Sequence, residues 1–207
     1  MHKAYDELVE KAQVGRPREF DAEQALLKAM RVFWEQGYDG ASLTDLTERM
    51  GISRKSMYAA FGNKEELFRK ALQRYTEIQA VYVLEALAAE TAGEVATRFL
   101  DGAVRANTRP GCPPGCLGVQ GALAVGATGV VARDTLIAWR ALGQEYLRDR
   151  FQRAVDEGDL PAGADPDLLA RYLMTISNGI SVQATGGATE EELQRVADVA
   201  LLNWPPA

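Results

Sequence analysis

In the stretch ISRKSMYAAF, residues 52–61, the hydrogen-bond donors Ser53, Arg54, Lys55, Ser56 and Tyr58 are interleaved with the apolar Ile52, Met57 and Phe61. If the stretch is helical, the apolar side chains turn inward and force the donors onto the opposite face. Such a donor set suits a nucleic acid. Arginine can give two hydrogen bonds to a guanine edge, and lysine can reach the same base or a phosphate. Thr44, Ser53, Tyr58 and Lys64 are better matched to phosphate, because hydroxyls and an ammonium near helix N-termini meet an anion where the helix dipole already favours it. Arg16 and Arg18 of the GRPREF segment are expected to add backbone or minor-groove contacts.

Other reactive groups are sparse. His2 is the only histidine, which argues against histidine triads and HExxH zinc sites in the core. No GxGxxG, Walker A or EF-hand sequence occurs. Glu145 and Asp149, one helical turn apart, could act as an acid–base pair, but such pairs are usually a solvated helix face. No catalytic residue, metal or cofactor is therefore expected. Cys112 and Cys116, in GCPPGCLG, are too few for a disulfide framework. With Cys116 at a predicted helix start, the pair reads either as a thiol switch of lowered pKa or as small packing residues in a tight turn. Tyr82, Phe99, Cys116, Gln120, Trp139, Tyr146 and Asn178 form a candidate lining for a mostly apolar ligand pocket.

The elements that must position these groups are all helical. Asp21 caps a helix carrying Ala25, Leu26, Ala29, Met30, Phe33 and Trp34 at helical spacing, and Gly37 is expected to end it. Ser42 to Asp45 opens a short helix that stops at Gly51, and Ser53 caps a second one ending by Gly62. Asn63 to Glu66 is a capping box for a helix expected to run to about Ala89. Two short helices joined by a glycine turn, the second rich in exposed donors, describe a helix-turn-helix. Further helices are expected over about 94–108 and 131–157, after Asp165-Pro166, and after Thr189.

Charge is divided along the chain. Residues 15–75 hold 11 Lys and Arg against 9 Asp and Glu, a net of +2, whereas residues 76–207 carry −7 within a total of −6. A weakly basic head on an acidic body fits a protein that meets a polyanion with one end only. No apolar run reaches the roughly 20 residues needed to span a bilayer, and MHKAYDELVEKAQ does not read as a signal peptide. A cytoplasmic protein with no membrane role is expected.

Residues 21–72, centred on FWEQGYDGASLTDLTERMGISRKSMYAAFGNKEELF, resemble the N-terminal domain of the TetR/AcrR family of transcriptional regulators. The resemblance rests on aromatic-x-x-x-Gly-Tyr, Ser/Thr-x-x-Asp-Leu, Gly-Ile-Ser and Ser-x-Tyr-x-x-Phe-x-x-Lys-Glu-x-Leu, and it covers about a quarter of the chain. It implies an all-α homodimer of about nine helices, with a three-helix DNA-binding domain and a C-terminal ligand-binding and dimerisation domain. The last two helices of each subunit would pair into a four-helix bundle, and the middle helices would enclose a small-molecule pocket. An inducer would move the heads apart and release a near-palindromic double-stranded operator, so the chain would be a repressor and not an enzyme. Members of the family often carry histidines between the tyrosine and the phenylalanine. Ala59 and Ala60 stand there in this chain, which shifts the contact onto Arg54, Lys55 and Tyr58.

The expected organisation is a flexible arm over 1–20, a helix-turn-helix domain over 21–66 and a ligand and dimer domain over 67–207. The expected dimer face joins Leu169, Tyr172, Leu173, Ile176 and Ile180 to Leu193, Val196, Ala200 and Leu201, with Ser177, Gly179 and Ser181 permitting close approach. The rival reading is a helical small-molecule carrier or enzyme without a DNA role.

Overall fold

Ser42, Asn63 and Asp165 each start a helix, as their residue types predict, and the capped segments assemble into an all-helical fold. The computed structural model describes residues 20–123, 125–126, 129–202 and 204–205, among which there are ten helices and no strand. Arg16, Arg18 and the expected arm up to residue 19 lie outside the described residues. The first four helices are α1 (Ala22–Gly40), α2 (Leu43–Met50), α3 (Arg54–Phe61) and α4 (Lys64–Gln79). They are followed by α5 (Val81–Leu87), α6 (Ala92–Thr108), α7 (Leu117–Gln120), α8 (Val130–Asp156), α9 (Pro166–Thr185) and α10 (Glu190–Leu202). No described helix is long and apolar enough to cross a membrane.

Two boundaries differ from the sequence expectation. Gly37 bends α1 instead of ending it: its φ of 71° breaks the helical geometry, yet the run continues to Gly40. The Tyr38 N–H is drawn off to the Gly121 carbonyl at 2.7 Å. The helix after Asn63 stops at Gln79, and a bend at Ala80 starts α5. That bend lets the Tyr82 ring lie against α6 at Gly102, where a Cβ would run into it. The four-residue α7 fills part of the loop between α6 and α8. The break at Ala80 splits one expected helix in two, so the described residues hold ten helices where the resemblance implies about nine.

The apolar side chains form two cores. The first combines α1 to α4, through Phe33, Trp34, Leu46, Met57, Leu67, Phe68 and Tyr75, with Leu117, Ala132 and Leu136. The second joins α5, α6, α9 and α10 to Leu147, Phe151 and Ala154 of α8. Helix α8 therefore serves the first core with its first half and the second with its other half. A boundary at residue 66 would cut the first core, because α4 contributes Leu67, Phe68, Ala71, Leu72 and Tyr75 to it.

The expected dimer face is largely internal. Leu169, Leu173, Ile180, Leu193 and Ala200 are buried within the single chain, and the Tyr172 hydroxyl donates to the Ala200 carbonyl at 3.1 Å. Their helical period marked the side of α9 and α10 that packs on α6 and α8, since periodicity reveals an apolar face but not its partner. Ile176 and Val196 instead line an open groove between α9 and α10, while Leu168, Val182 and Leu202 are exposed. Ser177 and Ser181 are buried residues facing a cavity inside the chain.

Candidate nucleic-acid interface and ligand cavity

Helix α3 is held by what lies beneath it. Met57 is fully buried, Phe61 nearly so, and Ile52 packs on the same core. Gly51 adopts a left-handed conformation at φ 73°, and its N–H bonds to Glu48 O while the Ile52 N–H bonds to Thr47 O. This paired closure of α2 fixes the angle at which α3 leaves it. Ser53 then caps α3 by accepting from the Ser56 N–H at 3.1 Å.

The outward face of α3 carries Arg54, Lys55 and Tyr58, with Ala59 and Ala60 beside them, and all five are exposed. Arg54 Nη2 donates to Thr44 Oγ1 at 2.9 Å, so the N-terminal turns of α2 and α3 meet in one patch. Ser53 and Ser56 share a hydroxyl–hydroxyl bond at 2.9 Å. Ser56 is half-buried and Lys64 is partly covered. The Lys64 ammonium stands 4.4 Å from the centre of the Tyr38 ring, and burial pushes its pKa down. Thr44, Ser53, Arg54, Lys55 and Tyr58 thus form one exposed surface, with Ser56 and Lys64 at its margin.

A cavity of about 310 Å³ lies among α4, α5, α6, α8 and α9. Tyr82, Phe99, Cys116, Trp139, Tyr146 and Asn178 line it, together with Thr76, Asn107, Met174, Ser177 and Ser181. Gln120 is not among the lining residues; its side chain accepts from the Thr185 hydroxyl and donates to Pro114 O at 3.2 Å. Leu84, Leu142 and Tyr146 line the cavity while remaining exposed, which makes them its mouth. Sequence reading missed Asn107, Ser177 and Ser181. Asn107 carried a usable signal, since it continues the face of Phe99 and Ala103 on α6 with a polar residue where an apolar one was due.

Burial raises the Cys116 thiol above its ordinary pKa, and the hydrogen bond from the buried Tyr75 hydroxyl does not reverse it. The lowered pKa of a switch thiol is thus not found at Cys116: a four-residue helix offers little dipole against that loss of water. Both cysteines are free thiols. Glu145 and Asp149 lie exposed on α8, and Asp149 accepts from neighbouring Arg148 at 2.8 Å.

Cavity and donor patch meet through α4. Thr76 lines the cavity and accepts from Trp139 Nε1 at 2.8 Å, while other faces of α4 carry Phe68 and Tyr75 into the first core. The loop around α7 adds further ties to α1. Arg31 donates to Gly111 O at 3.0 Å, Trp34 Nε1 to Gly115 O at 3.0 Å, and the Gly126 N–H to the Asp39 carboxylate at 2.6 Å.

Residues 25–71 match the model of the bacterial regulatory proteins of the tetR family, and residues 96–200 match that of the tetracyclin repressor-like C-terminal domain. The HTH-type transcriptional repressor ComR of Escherichia coli (strain K12) is 34% identical over 194 residues, 92% of each chain. The HTH-type transcriptional repressor BdcR of the same organism is 28% identical over 187 residues, 90% of each. A cysteine mutant of the TetR family transcriptional regulator CifR, solved in complex with 26bp double-strand operator DNA, is similar in structure at a TM-score of 0.88. It shares 42% identity, covering 92% of this chain and 100% of that one. With both halves matched and a relative of 34% identity aligned along nearly its whole length, the chain belongs to the TetR family of transcriptional regulators, which is not an enzyme family.

Proposed function

We propose that the protein is a homodimeric repressor that binds operator DNA through α3 and releases it when a small molecule fills the cavity. The observation that carries this reading is the sharing of α4: Thr76 faces the cavity, and Phe68 lies in the core beneath the donor patch. A ligand pressing on Trp139 and Thr76 would displace α4 and carry α1 to α3 with it. Two heads must fit successive major grooves, so a small rotation at each costs both contacts at once. Arg54 would exchange its bond to Thr44 for a base edge, with Lys55 on a base or phosphate and Thr44, Ser53 and Tyr58 on phosphate. Two copies would meet through α9 and α10, around the groove holding Ile176 and Val196. A cytoplasmic location is the natural setting for such a regulator.

The test is anisotropy titration of the DNA flanking the gene, at moderate salt, with wild type, Lys55→Ala and Tyr58→Phe. Both substitutions are expected to weaken binding while circular dichroism stays unchanged. Unaltered affinity in both would rule out this docking. Sedimentation of the free protein is expected to show a dimer, and Val196→Glu to shift it toward monomer.

A further inference from the structure

The cavity carries two polar atoms that the protein leaves without partners. Asn107 Oδ1 and Ser181 Oγ are buried and have no hydrogen-bond partner, and both residues line the cavity. The Asn107 amide is held in one orientation, because its Nδ2 donates to the Ala103 carbonyl at 2.6 Å. Its oxygen is therefore left to accept. The main chains of both residues flank Gly115. The Gly115 N–H donates to the Asn107 carbonyl at 2.9 Å, and a Cβ on Gly115 would stand 3.0 Å from the Ser181 carbonyl.

Of the other polar groups of the lining, Asn178 is half-buried and Tyr146 exposed, and three are already engaged. Thr76 is bonded to Trp139, Ser177 to the Tyr82 hydroxyl, and Cys116 to Tyr75. No Asp, Glu, Lys, Arg or His is found among the described lining residues. A charged ligand would lose its hydration there with no counter-charge to replace it. The remaining walls are apolar and aromatic, with Phe99, Trp139 and Met174 among them.

We infer that the ligand is an uncharged, mostly hydrocarbon molecule bearing one hydroxyl group, which donates to Asn107 Oδ1 and accepts from Ser181 Oγ. A hydroxyl is the smallest group able to do both with one oxygen. A lone N–H could serve Asn107 only, and a carboxylate could not donate to it. The inference rests on the reading of this cavity as the inducer site.

The experiment is calorimetric titration of the full-length protein with para-propylphenol, propylbenzene and para-propylbenzoate, three probes of similar size. The phenol is expected to bind about tenfold tighter than the hydrocarbon, from one to two net hydrogen bonds, and the benzoate not to bind. Ser181→Ala, which removes an oxygen that bonds to nothing in the protein, should cut that preference severalfold, and Asn107→Ala should abolish it. Equal binding of phenol and hydrocarbon, as expected if ordered water serves both groups, would overturn the inference; so would binding of the benzoate, or failure of all three at millimolar concentration. A hydroxyl preference that Ser181→Ala reduces, without any change in operator affinity, would uphold the cavity chemistry and sink the inducer role. Operator release by the phenol with the preference intact in both variants would do the reverse.

Discussion

The donor face of α3 and the cavity behind α4 are built in opposite senses. On α3, charge faces water and the apolar side chains Met57 and Phe61 sit beneath it. In the cavity, the polar atoms of Asn107 and Ser181 face inward, away from any charge. The first surface gains affinity from long-range attraction and is sensitive to salt. The second gains it from desolvation and a few short hydrogen bonds. A protein that must both find DNA and recognise a neutral molecule needs the two kept apart, yet α4 touches both.

That contrast can be broken most forcefully at the shared helix. Phe68 is fully buried, with its ring edge-on to Phe33 at 5.1 Å and to Tyr38 at 5.2 Å. Phe68→Ala should cost about 3 to 5 kcal/mol, read from the urea midpoint. Because α8 threads both cores, unfolding should remain a single transition; two separated transitions would show that head and body are independent units.

The next effect is confined to the donor face. Arg54→Ala should lose about 1 to 3 kcal/mol of operator binding for each guanine it reads, and less if Arg54 meets phosphate. Probe binding in the cavity should not change, and a parallel loss there would mean that the surfaces are not separate.

A smaller effect separates support from contact. Ser42 caps α2 in a reciprocal box with Asp45, whose carboxyl its hydroxyl and N–H hold below the ordinary range. Ser42→Ala should cost about 1 kcal/mol of stability. Ser53→Ala should cost a similar amount in the melting curve, together with operator affinity that Ser42→Ala leaves intact at equal folded fraction.

The smallest prediction concerns acid. Burial pushes the Glu35 carboxyl up, but hydrogen bonds from Arg49 and Arg31 outweigh it and hold it below its ordinary value of 4.5. The Arg49 bond, at 2.9 Å, joins α2 to α1, and the Arg31 bond, at 2.8 Å, lies within α1. Their contribution is complete above that ordinary value and is lost as the pH falls through the lowered folded one. Glu35→Gln should flatten this part of the acid stability curve by less than about 1 kcal/mol, since exposed pairs are weak. A pH profile identical to wild type would remove Glu35 from the list of acid-sensitive groups.

The head was legible in the sequence because its determinants are local. Ser42, Ser53 and Asn63 each cap the helix that follows within a few residues, and Met57 and Phe61 orient α3 without reference to distant parts of the chain. The cavity was partly legible, since aromatic residues such as Trp139 and Tyr82 are conspicuous, whereas Ser177 and Ser181 look like packing residues until α9 is seen beside α6. Most of the residues expected at the dimer face turn inward instead, for a physical reason. Leu169 and Leu193 announce that their helices have an apolar side, and only tertiary contacts reveal that this side is already occupied.

The loop between α6 and α8 makes its hydrogen bonds to α1 through its own main chain: the carbonyls of Gly111, Gly115 and Gly121 and the N–H of Gly126 supply its half of them. Amide groups are common to every residue but proline, so the attachment carries almost no sequence signature. Substitutions within the loop would break these joints only through a proline at Gly126 or side chains forced into the crowded glycine positions, whereas on α1 the side chains of Arg31, Trp34 and Asp39 are themselves the partners. The hydrogen-bonded half of this joint is thus written in backbone, and its packed half in the buried side chains of Leu117 and Ala122.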